Sequence, residues 1–209
     1  ARSGALSNAI PRQYPMKTPP PARMGSVDKK VGALIVLTKH ARMALMQQPT
    51  NNYAFIDGAN LHKAMGDVGW DLDYRKLRIW LTEKYGVGRA YIFIGLIAKY
   101  KDLYTHLQEA GFTLVFKEVV YDGAGKPKGN CDADLVLQAV RDAYGGVFEK
   151  AVIVSSDGDY AGLVKFLQER KQLSCILSPS IERKCSILLK RTNARIAYLS
   201  DQRGILELK

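Results

Sequence analysis

The chain has 209 residues, 47% of them apolar, so it is long enough to bury one substantial hydrophobic core. Its net charge of +11 favours a polyanionic partner, either a nucleic acid or an anionic membrane surface. Most of this charge lies at the start: residues 1–45 carry eight Lys and Arg against the single Asp28, a net +7, which leaves +4 for the remainder. No transmembrane helix is predicted, because the apolar run Val31–Leu37 is far shorter than the roughly 20 residues of a membrane span.

The three cysteines are too few and too scattered for a disulfide framework or a zinc site. Cys131, Cys175 and Cys185 form no CxxC pair and have no histidine at ligand spacing. A secretory signal is not expected either, since some thirty residues of loop-like sequence precede the first apolar run. These features predict a cytoplasmic protein in a reducing compartment.

Residues 1–50 are predicted to be a basic extension that is disordered or linker-like. Five of the eight prolines fall within residues 1–30, where apolar residues are too few to close a core. Residues 31–46 have the pattern of a short amphipathic helix, followed by a polar linker. An organelle transit segment, or vector or upstream sequence before a start at Met46, would have the same composition. The folded domain is predicted over residues 51–209.

From Tyr53 onward, short runs rich in β-formers alternate with helical patterns. Strands are predicted at residues 53–57, 90–95, 113–119, 151–155, 174–178 and 195–199. Helices are predicted at residues 59–66, 73–84, 99–110, 132–144, 159–170 and 182–191. This alternation predicts an α/β fold with a doubly wound, mostly parallel sheet, and runs such as AVIV and AYIFI suit strands that are buried on both faces.

Three aspartates follow predicted strands directly. Asp57 ends the first strand, and Asp157 and Asp159 follow the fourth. In open parallel sheets, ligands bind at the carboxyl ends of the strands, where the strand order reverses. Each aspartate taken alone is also explained as a helix N-cap.

A fourth carboxylate is placed by the helix after Cys131. Its apolar face is predicted to contain Val136, Ala139, Val140 and Ala143, and Asp132 shares that face. By the same spacing, Asp134 falls with Gln138, Arg141 and Asp142 on the polar face. We therefore expect Asp132 to point inward and Asp134 to be solvated, with helix capping again the alternative for Asp132.

Three or four carboxylates at one sheet edge would repel one another unless a cation compensates their charge. No cluster of Lys or Arg lies beside them in the sequence. Oxygen ligands without His or Cys are typical of a site for Mg²⁺ or Mn²⁺. An ion of this kind suits phosphoryl chemistry.

The motifs IDGAN, KGNCDADLVLQA and VSSDGDY, in this order, resemble those of the NYN domain, the LabA-like branch of the PIN-like nuclease superfamily. The resemblance covers about residues 52–209. It implies a Rossmann-like, three-layer fold and a metal-dependent endoribonuclease that hydrolyses RNA phosphodiester bonds with Mg²⁺ or Mn²⁺. The acidic positions that it implies as metal ligands and catalytic residues are Asp57, Asp132, Asp157 and Asp159, and the polar positions lining the same site are Asn60 and Ser156.

Basic residues near the predicted carboxyl edge are candidates for binding the RNA backbone. They are Lys99, Lys101, Lys128, Arg183 and Lys184. The alternative function is a catalytically silent RNA-binding or regulatory module of the same fold, whereas a phosphotransfer receiver domain does not fit the order of the aspartates. The sequence leaves four questions open: whether the substrate is RNA or single-stranded DNA, whether one ion or two act, whether Asp134 joins the site, and whether the chain forms a homo-oligomer.

Overall fold

The computed structural model describes residues 50–118 and 131–209 and, between them, positions 120, 121, 123, 127 and 128. Eight strands and seven α-helices occur in this described part. The strands are β1 Asn52–Asp57, β2 Val87–Leu96, β3 Thr113–Glu118, β4 Val120–Tyr121, β5 Pro127–Lys128, β6 Ala151–Val154, β7 Leu173–Ser178 and β8 Ile196–Tyr198. The helices are α1 Gly58–Val68, α2 Tyr74–Tyr85, α3 Lys101–Glu109, α4 Asp132–Tyr144, α5 Ala161–Glu169, α6 Ile187–Lys190 and α7 Arg203–Leu206.

The main sheet has six strands in the order β3-β2-β1-β6-β7-β8, and every pairing in it is parallel. The chain builds outward from β1 on one side and from β6 on the other, so the strand order reverses between these two strands. All residues of β1 and β6 are buried, which agrees with their apolar sequences. The predicted doubly wound α/β fold is therefore confirmed.

Two hydrophobic clusters cover the two faces of the sheet and make the fold three-layered. Ala54 and Ile56 of β1 contribute to the cluster that contains α1 and α2 side chains. Tyr53 and Phe55 alternate with them and pack among side chains of α4 and α5 on the opposite face. Asp57 continues the second set, so its side chain is directed toward α4 and α5.

The buried face of α4 differs from the predicted one. Leu135, Ala139, Asp142 and Ala143 are the buried residues, while Val136 lies at the edge of the cluster. Asp142 was expected on the polar face and is only 8% exposed. It lies seven residues after Leu135, almost two full helical turns, so the two side chains share one direction.

Several predicted helices are shorter or interrupted. The prediction for 159–170 begins as a 3-10 turn, Gly158–Tyr160, before α5, and that for 182–191 is split into the 3-10 turn Glu182–Lys184 and α6. A further 3-10 turn, Ala98–Tyr100, precedes α3. The β4-β5 hairpin and α7 were not predicted.

The predicted tail and the helix at residues 31–46 lie outside the described residues. Within the part that is described, no helix combines the length and apolar character needed to cross a membrane. The three cysteines are free thiols.

Candidate metal and active site

The carboxyl ends of β1 and β6 lie side by side at the point where the strand order reverses. Asp57 is the last residue of β1, and Ser155, Ser156 and Asp157 follow the end of β6. Because parallel strands end at the same edge of a sheet, these residues meet although about a hundred positions separate them in the sequence. The N-terminus of α4 brings Asp132 to the same edge.

Three of the four predicted aspartates form an acidic cluster. Each of Asp132, Asp157 and Asp159 offers a carboxylate oxygen, and these oxygens all lie within 4.8 Å of one another. Asp159 is exposed and the other two are partly buried. Oxygen ligands at this separation match the hard-donor set that Mg²⁺ or Mn²⁺ prefers.

Asp57 lies beside this acidic cluster and is more deeply buried, with 6% of its surface exposed. Its Oδ1 accepts from the backbone N–H of Asn60 at 2.9 Å, which makes it the N-cap of α1. Burial raises the pKa of Asp57 above its ordinary value; the bond from Asn60 opposes this shift and the negative charge of Asp132 adds to it. Asp57 therefore caps a helix and borders the acidic cluster at the same time.

The hydroxyl of Tyr160 joins Asp57 to Asp132. Tyr160 is fully buried, and its hydroxyl lies 3.3 Å from Asp57 Oδ2 and closer still to Asp132 Oδ1. A phenol has a single hydrogen, so it donates to one carboxylate at a time. Burial and the charge of Asp57 raise the pKa of Tyr160 far above its ordinary value, which keeps the hydroxyl protonated and able to donate.

The stretch Ser155–Tyr160 is fixed by local contacts as well as by the sheet. The hydroxyl of Ser155 lies 3.3 Å from Asp57 Oδ2 and accepts from the N–H of Asp157 at 3.1 Å. Asp157 in turn caps the following 3-10 turn by accepting from the N–H of Asp159. A Cβ at Gly158 would lie 2.4 Å from Ser186 Oγ, so a larger residue there would displace the hydroxyl that caps α6.

Asn60 and Ser156 form a second polar link between β1 and β6. The Oδ1 of Asn60 accepts from the backbone N–H of Ser156 at 3.0 Å and from its hydroxyl at 2.8 Å. The hydroxyl of Ser180 lies 3.0 Å from Ser156 Oγ and extends this link toward the loop after β7. Since Oδ1 accepts both bonds, the amide N–H groups of Asn60 point away from Ser156.

Asp134 does not join the acidic cluster. Its Oδ2 forms an ion pair with Lys117 Nζ at 2.8 Å, and both side chains are 39% exposed. Asp134 is thus directed away from Asp132 as predicted, although it pairs with β3 and is not simply solvated. Burial raises the pKa of the neighbouring Cys131 to about 11, and its Sγ is not among the atoms that form the acidic cluster.

The predicted substrate-binding lysines and arginine are not gathered at one place. Lys184 lines a polar depression of about 490 Å³ together with Asn60, Ser156 and Asp157, and it pairs with Asp67 at 2.8 Å. Lys99 and Lys101 are exposed at the start of α3, and Arg183 is exposed in the 3-10 turn after β7. The side chain of Lys128 lies outside the described part of the chain.

Sequence reasoning missed Tyr160, Ser155 and Ser180 as members of this site. Tyr160 and Ser155 stand within the VSSDGDY motif, so the motif itself was the available signal. Their roles depend on contacts with Asp57, which is 98 and 103 positions away. Ser180 ends the stretch ILSPS, and the resemblance of that stretch to the family was the available signal.

Comparisons with known proteins agree with this architecture. The family model described as "NYN domain" matches residues 53–196. A crystal structure of a protein of unknown function, VPA0982 from Vibrio parahaemolyticus, superposes with a TM-score of 0.60 at 20% sequence identity, covering 77% of this chain and 98% of that one. A comparison with curated proteins gave no significant match. The matched range includes both strand ends and the whole acidic cluster, and we conclude that the chain belongs to the NYN domain family, with its PIN-like nuclease fold.

Proposed function

We propose that this protein is a metal-dependent endoribonuclease that hydrolyses RNA phosphodiester bonds at the acidic cluster. The observation that carries the proposal is the convergence of Asp132, Asp157 and Asp159, whose carboxylate oxygens lie within 4.8 Å of one another. Mutual repulsion would oppose this arrangement without a compensating cation. The ion pairs of the described residues include neither Asp157 nor Asp159.

The residues present fit a hard divalent ion. The donors are carboxylate oxygens, and neither Cys nor His is a member of the cluster, a donor set that favours Mg²⁺ or Mn²⁺ over zinc and other thiophilic metals. Asp132, Asp157 and Asp159 would hold Mg²⁺ or Mn²⁺, with Asp57 as a further carboxylate behind them. When bound, such an ion supplies activation of a water molecule and neutralisation of charge on the phosphate.

The protein's own groups have distinct parts in this proposal. Tyr160 helps to orient Asp132, and Ser155 contacts the carboxylate of Asp57 while accepting from the backbone N–H of Asp157. The amide N–H groups of Asn60 are suited to donate to a phosphate oxygen, because its Oδ1 is occupied by Ser156. These groups are held before substrate arrives, which avoids the cost of reorganising them during the reaction.

The RNA backbone would follow the polar depression beside Asp157. Its lining includes Lys63, Lys184 and the hydroxyls of Ser156 and Ser186. The pairing of Lys184 with Asp67 is exposed and therefore weak, so a phosphate can replace the carboxylate. Lys99, Lys101, Lys128 and Arg183 are proposed to add electrostatic attraction along the same edge.

Placement in the LabA-like branch belongs to the proposal as well. It rests on the order of the motifs IDGAN, KGNCDADLVLQA and VSSDGDY along the chain.

The test is a cleavage assay on mixed cellular RNA and on single-stranded DNA, with Mg²⁺ or Mn²⁺ and with a chelator. We expect RNA to be cut with the metal present and to survive intact with the chelator or with Asp157→Asn. Binding of RNA without any metal-dependent cleavage would support the silent module of the same fold and refute the nuclease.

A further inference from the structure

A separate cavity lies on the opposite face of the sheet from the acidic cluster, between α1, β2 and α3. It encloses about 230 Å³. Its floor is apolar and includes Ile92, Ile94 and Leu107, and the rings of Tyr74 and Tyr100 stand at its walls. The small size and the aromatic walls suit one flat ring system, since pockets for drug-sized ligands run from about 300 to 1,000 Å³.

The start of α1 connects this cavity to the candidate active site. Gly58 and Ala59, which follow Asp57 in the chain, form part of its wall. A Cβ at Gly58 would lie 2.7 Å from the carbonyl oxygen of Phe93, so the start of α1 is packed tightly against β2. Asp57 and the cavity wall are therefore consecutive parts of one closely packed sheet edge.

Two basic side chains flank Tyr100, a residue of the cavity lining. The Nζ of Lys99 lies 4.8 Å from the ring centroid of Tyr100, and Lys101 follows at the start of α3. Both lysines are exposed, and neither takes part in the ion pairs of the described residues. An apolar, aromatic cavity with lysines on both sides of one of its lining residues complements a molecule that joins a flat ring to a negatively charged backbone.

We propose that this cavity is a base pocket that binds one nucleobase of a single-stranded nucleic acid whose backbone crosses the carboxyl edge of the sheet. The ring of Tyr100, which is 39% exposed, provides the stacking surface. Lys99 and Lys101 contact the adjoining phosphates. This proposal rests on the proposed function and adds to it a base-binding subsite beside the cleavage site.

The test measures the binding of a short single-stranded RNA by fluorescence anisotropy, with chelator present so that nothing is cleaved. A second RNA of the same length carries abasic positions and retains every phosphate. We expect the full chain to bind the intact RNA more tightly than the abasic one. Tyr100→Ala should weaken binding of the intact RNA about tenfold, in line with the usual value of a stacked base, and leave the abasic RNA almost unaffected.

Tyr144→Ala is the matched control. Tyr144 is 69% exposed on α4 and stacks with a basic side chain, Arg170, as Tyr100 does with Lys99, but it is outside the pocket lining. Its replacement should change neither affinity. Ala59→Leu tests the cavity in another way, because it adds volume at an exposed helical position in the pocket wall and should reduce the preference for intact RNA without removing an aromatic ring.

Equal affinity of the wild-type protein for intact and abasic RNA would overturn the base pocket. So would equal losses from Tyr100→Ala and Tyr144→Ala, or self-association of the wild type that Ala59→Leu abolishes, which would make the cavity an interface between copies. The cleavage assay is scored separately. If RNA is cut without base-dependent binding, only the pocket fails; if base-dependent binding occurs without cleavage, the pocket stands and the nuclease fails.

Discussion

Two hydroxyl groups contact Asp57, the buried carboxylate at this edge of the sheet, and both are uncharged. Asp57 receives its contacts from Ser155, Tyr160 and the backbone of Asn60. Neutral donors satisfy the oxygens but leave the negative charge in place. The site thus keeps the charge that a divalent ion requires while fixing the direction of its ligands.

Tyr160→Phe tests this role at the level of one atom. The change removes the hydroxyl and leaves the ring, so Asp132 and Asp57 lose a buried donor. We expect a loss of about 1–3 kcal/mol in the free energy of unfolding, measured with urea and chelator. Mn²⁺ affinity, followed by the electron paramagnetic resonance of the free ion, should fall in the same variant because Asp132 loses one of the contacts that orient it.

Tyr85→Phe is the control for the loss of a phenolic hydroxyl. The hydroxyl of Tyr85 is buried, and among the described residues it has only the thiol of Cys175, a weak hydrogen-bonding group, beside it. Its removal should be neutral or stabilising and should leave Mn²⁺ affinity unchanged. If both variants behave alike, the hydroxyl of Tyr160 has no special part in the site.

Asp57→Asn should reveal the cost of the buried charge. The pKa of Asp57 is raised above 3.8 by burial, so the folded protein holds this proton more tightly than the unfolded chain does. Binding of this proton stabilises the folded protein fully when the pH is below the pKa of Asp57 in the unfolded chain. This stabilisation is lost as the pH rises through the pKa of Asp57 in the folded protein. Without metal, the Asn variant should therefore be more stable than wild type at pH 7, because Asn caps a helix as well as Asp does.

This advantage should shrink as pH falls and the wild-type carboxyl takes up its proton. Urea unfolding between about pH 4 and pH 8 in chelator measures it, since the expected window begins just above the unfolded pKa of Asp. Asp71→Asn, at an exposed position, controls for the general effect of one negative charge fewer. An Asn variant that is less stable than wild type at pH 7 would show that the ionised carboxylate is stabilising.

Among the elements, the buried strands were predicted best and the short helices worst. β1 and β6 are buried throughout and mostly apolar, and Asp57 ends β1 while Asp157 follows β6 after two serines, so the sequence predicted both strands and their carboxyl ends. The stretch 182–191 has helical composition, but Cys185 and Ser186 adopt extended backbone angles, which divides it into two turns. Because the backbone of Ser186 bonds that of Ser156, tertiary contact overrides local propensity there.

The direction of the first residue of α4, Asp132, was predicted correctly. Asp132 was expected to point inward, and it contacts the buried Tyr160. The centre of the buried face was misplaced, because Leu135 and not Val136 is the most buried apolar residue of the first turns. An amphipathic pattern gives the width of an apolar face more reliably than its centre when polar residues such as Asp142 are themselves buried.

Asp132→Asn and Asp134→Asn should differ for this reason. Replacing Asp132 removes a member of the acidic cluster, so we expect metal-dependent RNA cleavage to be lost. Replacing Asp134 breaks an exposed ion pair with Lys117, which should lower stability by no more than about 1 kcal/mol and retain most cleavage. RNA cleavage and urea unfolding of the two variants measure these effects. Equal loss of cleavage would contradict the unequal roles of Asp132 and Asp134.

At the scale of the whole molecule, the site follows from topology. A parallel sheet that reverses its order between β1 and β6 must bring their carboxyl ends together, which is why aspartates at two distant strand ends could be assigned to one site from the sequence. The link through Tyr160 and the base pocket could not be assigned in this way. Both depend on side-chain packing between elements, which residue spacing along one element does not contain.

Thermal melting across a Mn²⁺ titration tests whether the fold as a whole is coupled to the acidic cluster. An ion that binds only the folded state stabilises it by about 2.7 kcal/mol at a hundred times its Kd. For a domain of this size that gain corresponds to a rise in Tm of roughly 5–11 °C. We expect this rise for the wild type and a much smaller one for Asp157→Asn, in which the cap on the 3-10 turn is preserved but one ligand is lost. In chelator the same variant should melt at the wild-type temperature or above, because one of the converging charges has been removed.

Asp159→Ala should also lose the Mn²⁺ response. Because Asp157 and not Asp159 caps the 3-10 turn, this variant should keep its stability in chelator. A wild type whose Tm does not respond to Mn²⁺, together with a metal-free Asp157→Asn variant that is clearly destabilised, would mean that these aspartates serve the turn alone.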